Sequence, residues 1–102
     1  MAGPYQSFSE FYPFYLSEHC NPANRRMHFL GTTLGVVAIV NVMVGLSFWW
    51  LLAGLLAGYA CSWFGHFMFE KNQPATFKYP LYSFMGDWVM YKDILTGKIK
   101  LI

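Results

Sequence analysis

The chain has 102 residues and a formal net charge of +2, and 56% of its residues are hydrophobic while only 12% are charged. A soluble globular domain usually carries about 25% charged residues, so this composition argues against an ordinary soluble domain. The length allows a single domain, residues 1–102, and the scattered lysines form no basic patch of the kind that binds nucleic acid.

A long uncharged run occupies the middle of the chain. The 37 residues from Phe29 to Gly65 include no Asp, Glu, Lys, Arg or His. A transmembrane helix needs roughly 20 apolar residues, so the run suits two short spans joined by a tight turn. The alternative, a buried helical pair in a soluble protein, is disfavoured by the small size of the chain. All the basic residues lie outside the run, so the positive-inside rule predicts that both termini face the cytoplasm.

The first helical segment is predicted from about Ser9 to Glu18. It is crowded with aromatic residues, which favour the membrane–water boundary, so we expect it to lie on the membrane surface. The alternative is an aromatic core helix of a soluble domain. Asn21-Pro22 then separates this segment from a second helix, predicted from about Ala23 to Val44, because Pro suits the first position of a helix.

The third helix follows a turn at residues 45–48 and is predicted from about Trp49 to Lys71. A fourth, amphipathic segment from about Pro80 to Leu95 carries Asp87, which favours an interfacial or partly inserted position over a third crossing. The predicted fold is therefore an all-α membrane protein, a transmembrane helical hairpin flanked by interfacial amphipathic helices.

Small residues recur four apart in both long helices: Gly31 and Gly35 in one, Gly54 and Gly58 in the other. This spacing lets helix backbones approach closely in lipid. A turn centred near residues 46–47 would pair Gly35 with Gly58 and set His28 level with His66. The helical phase places His66 beside this seam, so a site there needs a wall from another segment, either the one around His19 or the fourth helix.

The three histidines, His19, His28 and His66, all fall at the same predicted membrane surface. Neutral imidazoles are the commonest metal ligands, and such a set leaves positions for substrate and O2 at Fe(II), although zinc fits the same ligands. A lone histidine would more often be a hydrogen-bonded boundary residue. Glu70, one turn beyond His66, could bind the metal, orient His66 or pair with a basic residue such as Lys71. The nearby asparagines are expected to cap loops: Asn21, Asn24 and Asn72.

Two stretches carry a family resemblance: "EHCNPANRRMHFLGT" and "GHFMFEKNQPATFKYPLYSFMGDW". Together, over about residues 8 to 96, they resemble the small membrane family of 2-hydroxy fatty acid dioxygenases. This family includes the fungal alpha-oxidation enzymes of the phytosphingosine degradation route. The resemblance implies an Fe(II)- and O2-dependent enzyme that removes one carbon from a 2-hydroxy fatty acid as CO2. It also implies that the three histidines are the iron ligands.

Further roles follow from the implied reaction. A 2-hydroxy carboxylate can chelate iron, with its acyl tail along the apolar hairpin and Arg25 or Arg26 as a partner for its carboxylate. Asp87 would complete the site from the fourth helix or pair with Lys78. The competing hypotheses are a non-catalytic lipid-binding scaffold and a zinc-dependent lipid hydrolase. Two short spans enclose little surface, so a homodimer is also expected, in a bacterial inner membrane or the endoplasmic reticulum.

Overall fold

The computed structural model describes residues 5–100, which contain no strand, and the ends of the single predicted domain (1–4 and 101–102) lie outside them. Its elements, in chain order, are α1 (Phe8–Ser17), α2 (Pro22–Met43), α3 (Trp49–Gly65), a π-helical turn (His66–Glu70), a 3-10 turn (Ala75–Phe77) and α4 (Pro80–Leu95). All four predicted helical segments are therefore present. Their bounds agree within about one residue, except at the end of the third, where the helix changes type.

The sequence explains where the first two helices begin. The Ser7 side chain accepts a hydrogen bond from the Glu10 backbone N–H, at 3.3 Å, so it caps α1. Asn21 accepts from the Ala23 N–H at 2.8 Å, and Pro22 occupies the first turn of α2, where its missing N–H costs nothing. The expected capping role of Asn21 is confirmed.

Helices α2 and α3 pack side by side at their glycines. A Cβ atom on Gly31 would lie 2.8 Å from the Gly58 carbonyl oxygen, and one on Gly54 would lie 3.5 Å from the Gly35 Cα. The expected pairing of Gly35 with Gly58 is therefore wrong by one helical turn. Because the glycines repeat every four residues in both helices, a shift of one turn still sets glycine against glycine and preserves the close backbone approach.

Two helical stretches are long and apolar enough to cross a membrane: α2, and α3 together with the π-helical turn, each 22 residues. Only 17% of the most apolar window of each is buried among the described residues. Large apolar side chains such as Val40, Trp49 and Leu56 are exposed along both. A buried helical pair at the core of a soluble domain would show the opposite pattern.

Helices α1 and α4 share a separate aromatic core. Phe11 and Tyr15 of α1 are fully buried, and they cluster with Met90 of α4 and with Tyr79 just before it. Tyr15 can approach α4 closely because a Cβ atom on Gly86 would lie only 2.8 Å from the tyrosine ring. Two of the rings expected at a membrane surface are therefore core residues that fix α1 against α4.

Candidate metal centre

The three histidines converge although they come from three different elements. His19 follows α1, His28 lies in α2, and His66 opens the π-helical turn. All three are buried, and one ring nitrogen from each lies within 4.8 Å of the others. The Nε2 atoms of His19 and His28 are 3.0 Å apart. The expectation that the three histidines come together agrees with this geometry, although the helix register differs by one turn and sets Asn24 rather than His28 against Gly65.

Each histidine is oriented by an oxygen acceptor at Nδ1. The carbonyl oxygen of Tyr15 lies 2.6 Å from His19 Nδ1, and that of Asn24 lies 3.0 Å from His28 Nδ1. Asn72 Oδ1 lies 2.7 Å from His66 Nδ1. The orientation of the Asn72 amide is fixed because its Nδ2 donates a hydrogen bond to the Glu18 carbonyl. Since oxygen acceptors require a donor, all three Nδ1 atoms carry the proton, and every Nε2 presents a lone pair.

This donor set fits a metal ion. Two Nε2 lone pairs 3.0 Å apart, as on His19 and His28, repel each other unless a cation lies between them. Two imidazoles bound at about 2.1 Å, with about 90° between them, hold their nitrogens about 3 Å apart. Burial, and then the neighbouring histidines, hold the pKa of His19 well below its usual value, so this ring is neutral, the form that binds metals.

The π-helical turn brings Asn72 to His66. Lys71 N–H bonds back to the His66 carbonyl, and Asn72 N–H reaches the same oxygen at 3.2 Å. Lys71 adopts a left-handed conformation (φ 60°), which ends the helix and turns the chain back. The prediction of a regular helix to Lys71 is therefore wrong. The wider π-helical turn changes which side chain contacts His66.

Glu70 does not orient His66 in this structure. Its carboxylate accepts a hydrogen bond from the Asn21 backbone N–H, which ties the π-helical turn to the start of α2. The orienting position belongs to Asn72, and a role of Glu70 in metal binding or catalysis stays a prediction. Among residues 5–100, the donor group that can share a metal contains the three histidines and not Glu70.

Arg25 holds the backbone that carries the first histidine. Its Nε donates to the His19 carbonyl at 2.7 Å, and its Nη1 donates to the Lys100 carbonyl at 3.2 Å. These bonds fix the short connection between α1 and α2. The role of Arg25 as a partner for a substrate carboxylate stays a prediction.

Asp87 reaches the site through Tyr15. The Tyr15 hydroxyl donates to the Asp87 carboxylate, and the Tyr15 ring stacks on the His19 ring with centroids 4.1 Å apart. Burial raises the pKa of Asp87 to about 7, although the bond from Tyr15 acts in the other direction. The partner of Asp87 is therefore Tyr15 rather than Lys78, and the carboxyl lies one side chain away from the histidines.

A profile of the family described as 2-hydroxy-palmitic acid dioxygenase Mpo1-like matches residues 5–99. The chain belongs to this family. The Mpo1-like match covers all three histidines and nearly the whole chain, so the resemblance found from the two motif stretches is confirmed. No curated protein and no solved structure gives a significant match.

Three residues of this Mpo1-like site were not assigned these roles from the sequence. Tyr15 and Asn24 act through their carbonyl oxygens, and both lie four residues before the histidine they orient, a spacing that one helical turn explains. The amide of Asn24 does not cap a loop. It is fully buried against Gly65, and both of its polar atoms lack a hydrogen-bond partner among the described residues. Asn72 carries no comparable signal, because its position depends on the π-helical turn.

Proposed function

We propose that this protein is a membrane-embedded Fe(II)- and O2-dependent dioxygenase that shortens 2-hydroxy fatty acids by one carbon and releases CO2. The observation that carries the proposal is the buried set of three histidines, each with one ring nitrogen within 4.8 Å of the others and with Nδ1 held by an oxygen acceptor. The family description supports the substrate class and the type of reaction.

The exposed apolar surface of the two long helices supports a transmembrane hairpin. In this arrangement α2 and α3 cross the bilayer, and α1 and α4 lie at the boundary that holds the histidines. Both termini would then face the cytoplasm. A homodimer in the membrane stays a prediction.

The reaction balances without an external reductant. A 2-hydroxy acid, RCH(OH)COOH, and one O2 give RCOOH, CO2 and water, with the bond between the first two carbons broken. The substrate supplies all the electrons that reduce O2. Bound Fe(II) would mediate the transfer of these electrons from the 2-hydroxy carboxylate to O2.

The residues of the chain prepare the site for this chemistry. His19, His28 and His66 would hold the iron through Nε2, while the acceptors at Nδ1 keep the rings oriented and raise their basicity. Burial of all three rings excludes bulk water. The Tyr15 hydroxyl donates a hydrogen bond to the Asp87 carboxylate and so keeps its proton. The Tyr15 ring that stacks on His19 therefore stays uncharged.

The test is turnover by purified protein in lipid nanodiscs loaded with Fe(II). With 2-hydroxypalmitate we expect O2 uptake and CO2 release in equal amounts, with pentadecanoate as product and no added reductant. Palmitate, which lacks the 2-hydroxyl group, and the His66→Ala variant should both give no uptake. Lipid hydrolysis by a zinc-loaded protein without O2 would establish the hydrolase hypothesis instead, and absence of both metal and turnover would establish the scaffold.

A further inference from the structure

An apolar groove lies between α2, α3 and α4, with a volume of about 280 Å³. The glycines of the helix pair form its floor, and the rings of Phe84 and Trp88 from α4 form part of its wall. Gly35 marks a void in this floor, because a Cβ atom there would meet nothing within 4 Å. The other glycines that line the groove, at positions 31, 54 and 58, meet the facing helix instead.

One end of the groove lies near the histidine site. Its lining includes Thr32, one helical turn beyond His28, and Ser62, one turn before His66. It also includes Asp87, the carboxyl that is bonded to Tyr15 against His19. From this end the groove follows α2 from Gly31 to Ile39, about 12 Å along the helix axis.

This shape and polarity suit one kind of ligand. A peptide would leave its backbone N–H and C=O groups without partners in an apolar groove, whereas an acyl chain has none to satisfy. The only acidic or basic side chain in the lining is Asp87, at the end near the histidines. An amphiphile with one polar head and one apolar tail would therefore lie with its head at the histidines.

We infer that this groove binds the acyl tail of the substrate and that Gly35 determines how long a tail is accepted. The inference rests on the proposed function for the identity of the head group. It adds a binding site for the tail between three helices, with one end near the metal centre and a residue that controls its depth.

The decisive variant is Gly35→Leu, because a Cβ atom at this position would meet nothing within 4 Å. Because each buried methylene contributes to binding, we expect KM for 2-hydroxypalmitate to rise about tenfold or more, while KM for 2-hydroxyoctanoate changes less than about twofold. Gly35→Ala should shift the preference in the same direction by a smaller factor, and it serves if the leucine variant does not fold. Ala60→Leu, on an exposed position of α3, is the matched control and should leave both values unchanged.

A second readout does not depend on turnover. The metal-free protein should bind the fluorescent fatty acid cis-parinaric acid, and Gly35→Leu should weaken this binding about tenfold while Ala60→Leu does not. If the wild type binds the probe and the Gly35→Leu variant does not, but the wild type never consumes O2, the groove is supported and the proposed function fails. If the wild type turns over and Gly35→Leu keeps its preference for the long substrate, the inference is overturned. Equal probe binding by both proteins, as for a groove occupied only by bilayer lipid, would overturn it as well.

Discussion

Removal of the Asn72 side chain should weaken metal binding although Asn72 is not itself a ligand. Asn72 Oδ1 lies 2.7 Å from His66 Nδ1, at the short end of the range for N–H···O hydrogen bonds. Loss of such a partner behind a metal-binding histidine typically costs about tenfold to a hundredfold in metal affinity, or about 1.4–2.7 kcal/mol. We expect Asn72→Ala to fall in this range, because no other acceptor contacts His66 Nδ1 among the described residues.

The assay is a competition titration of metal-free protein with Fe(II) or Co(II) against a chelator of known affinity. Glu70→Gln is the matched control, because glutamine keeps an oxygen to accept the Asn21 N–H. It should change the affinity less than about twofold. Wild-type affinity in a folded Asn72→Ala variant, or an equal loss in Glu70→Gln, would refute the assignment of the orienting role to Asn72.

Three further predictions concern stability. Burial raises the pKa of Asp87 in the folded protein from 3.8 to about 7. The protonated carboxyl therefore stabilises the fold at low pH, and this stabilisation is lost as pH rises through about 7. Asp87→Asn should therefore be more stable than wild type at pH 8 in thermal melts, and equal pH profiles would contradict this. Asn24→Leu should raise the stability of the metal-free protein by about 1 kcal/mol or more, since the amide is buried without partners; a clear loss would show that the amide is satisfied. Gly65→Ala should destabilise by about 1–3 kcal/mol, because its Cβ atom would overlap the Asn24 side chain, and an unchanged melting temperature would exclude that contact.

The helices were predictable because the charge pattern marks them. The uncharged run and the Asn21-Pro22 break set the bounds of α2 and the start of α3 to within about one residue. Glycine repeats in both helices limit the registers in which the backbones can approach. The meeting of His28 and His66 was expected from one of these registers, but the observed register is another, in which Asn24 rather than His28 lies against Gly65. The same repeats explain why the register itself was wrong by one turn.

The surroundings of the histidines were less predictable. A regular helix puts Glu70 on the face of His66, and only the wider π-helical turn replaces it with Asn72. The contact between Tyr15 and Asp87 joins residues 72 apart in the chain, so no local periodicity indicates it. The sequence showed which residues were available for the site but not which of them would meet.

The most direct test of the central claim is the metal content of the purified protein after anaerobic loading with Fe(II). We predict about one tightly bound iron per chain in the wild type and loss of that iron in each of His19→Ala, His28→Ala and His66→Ala. Retention of the full iron content by all three folded variants, or a wild-type protein that binds no iron, would contradict the assignment of the buried histidines as a metal centre.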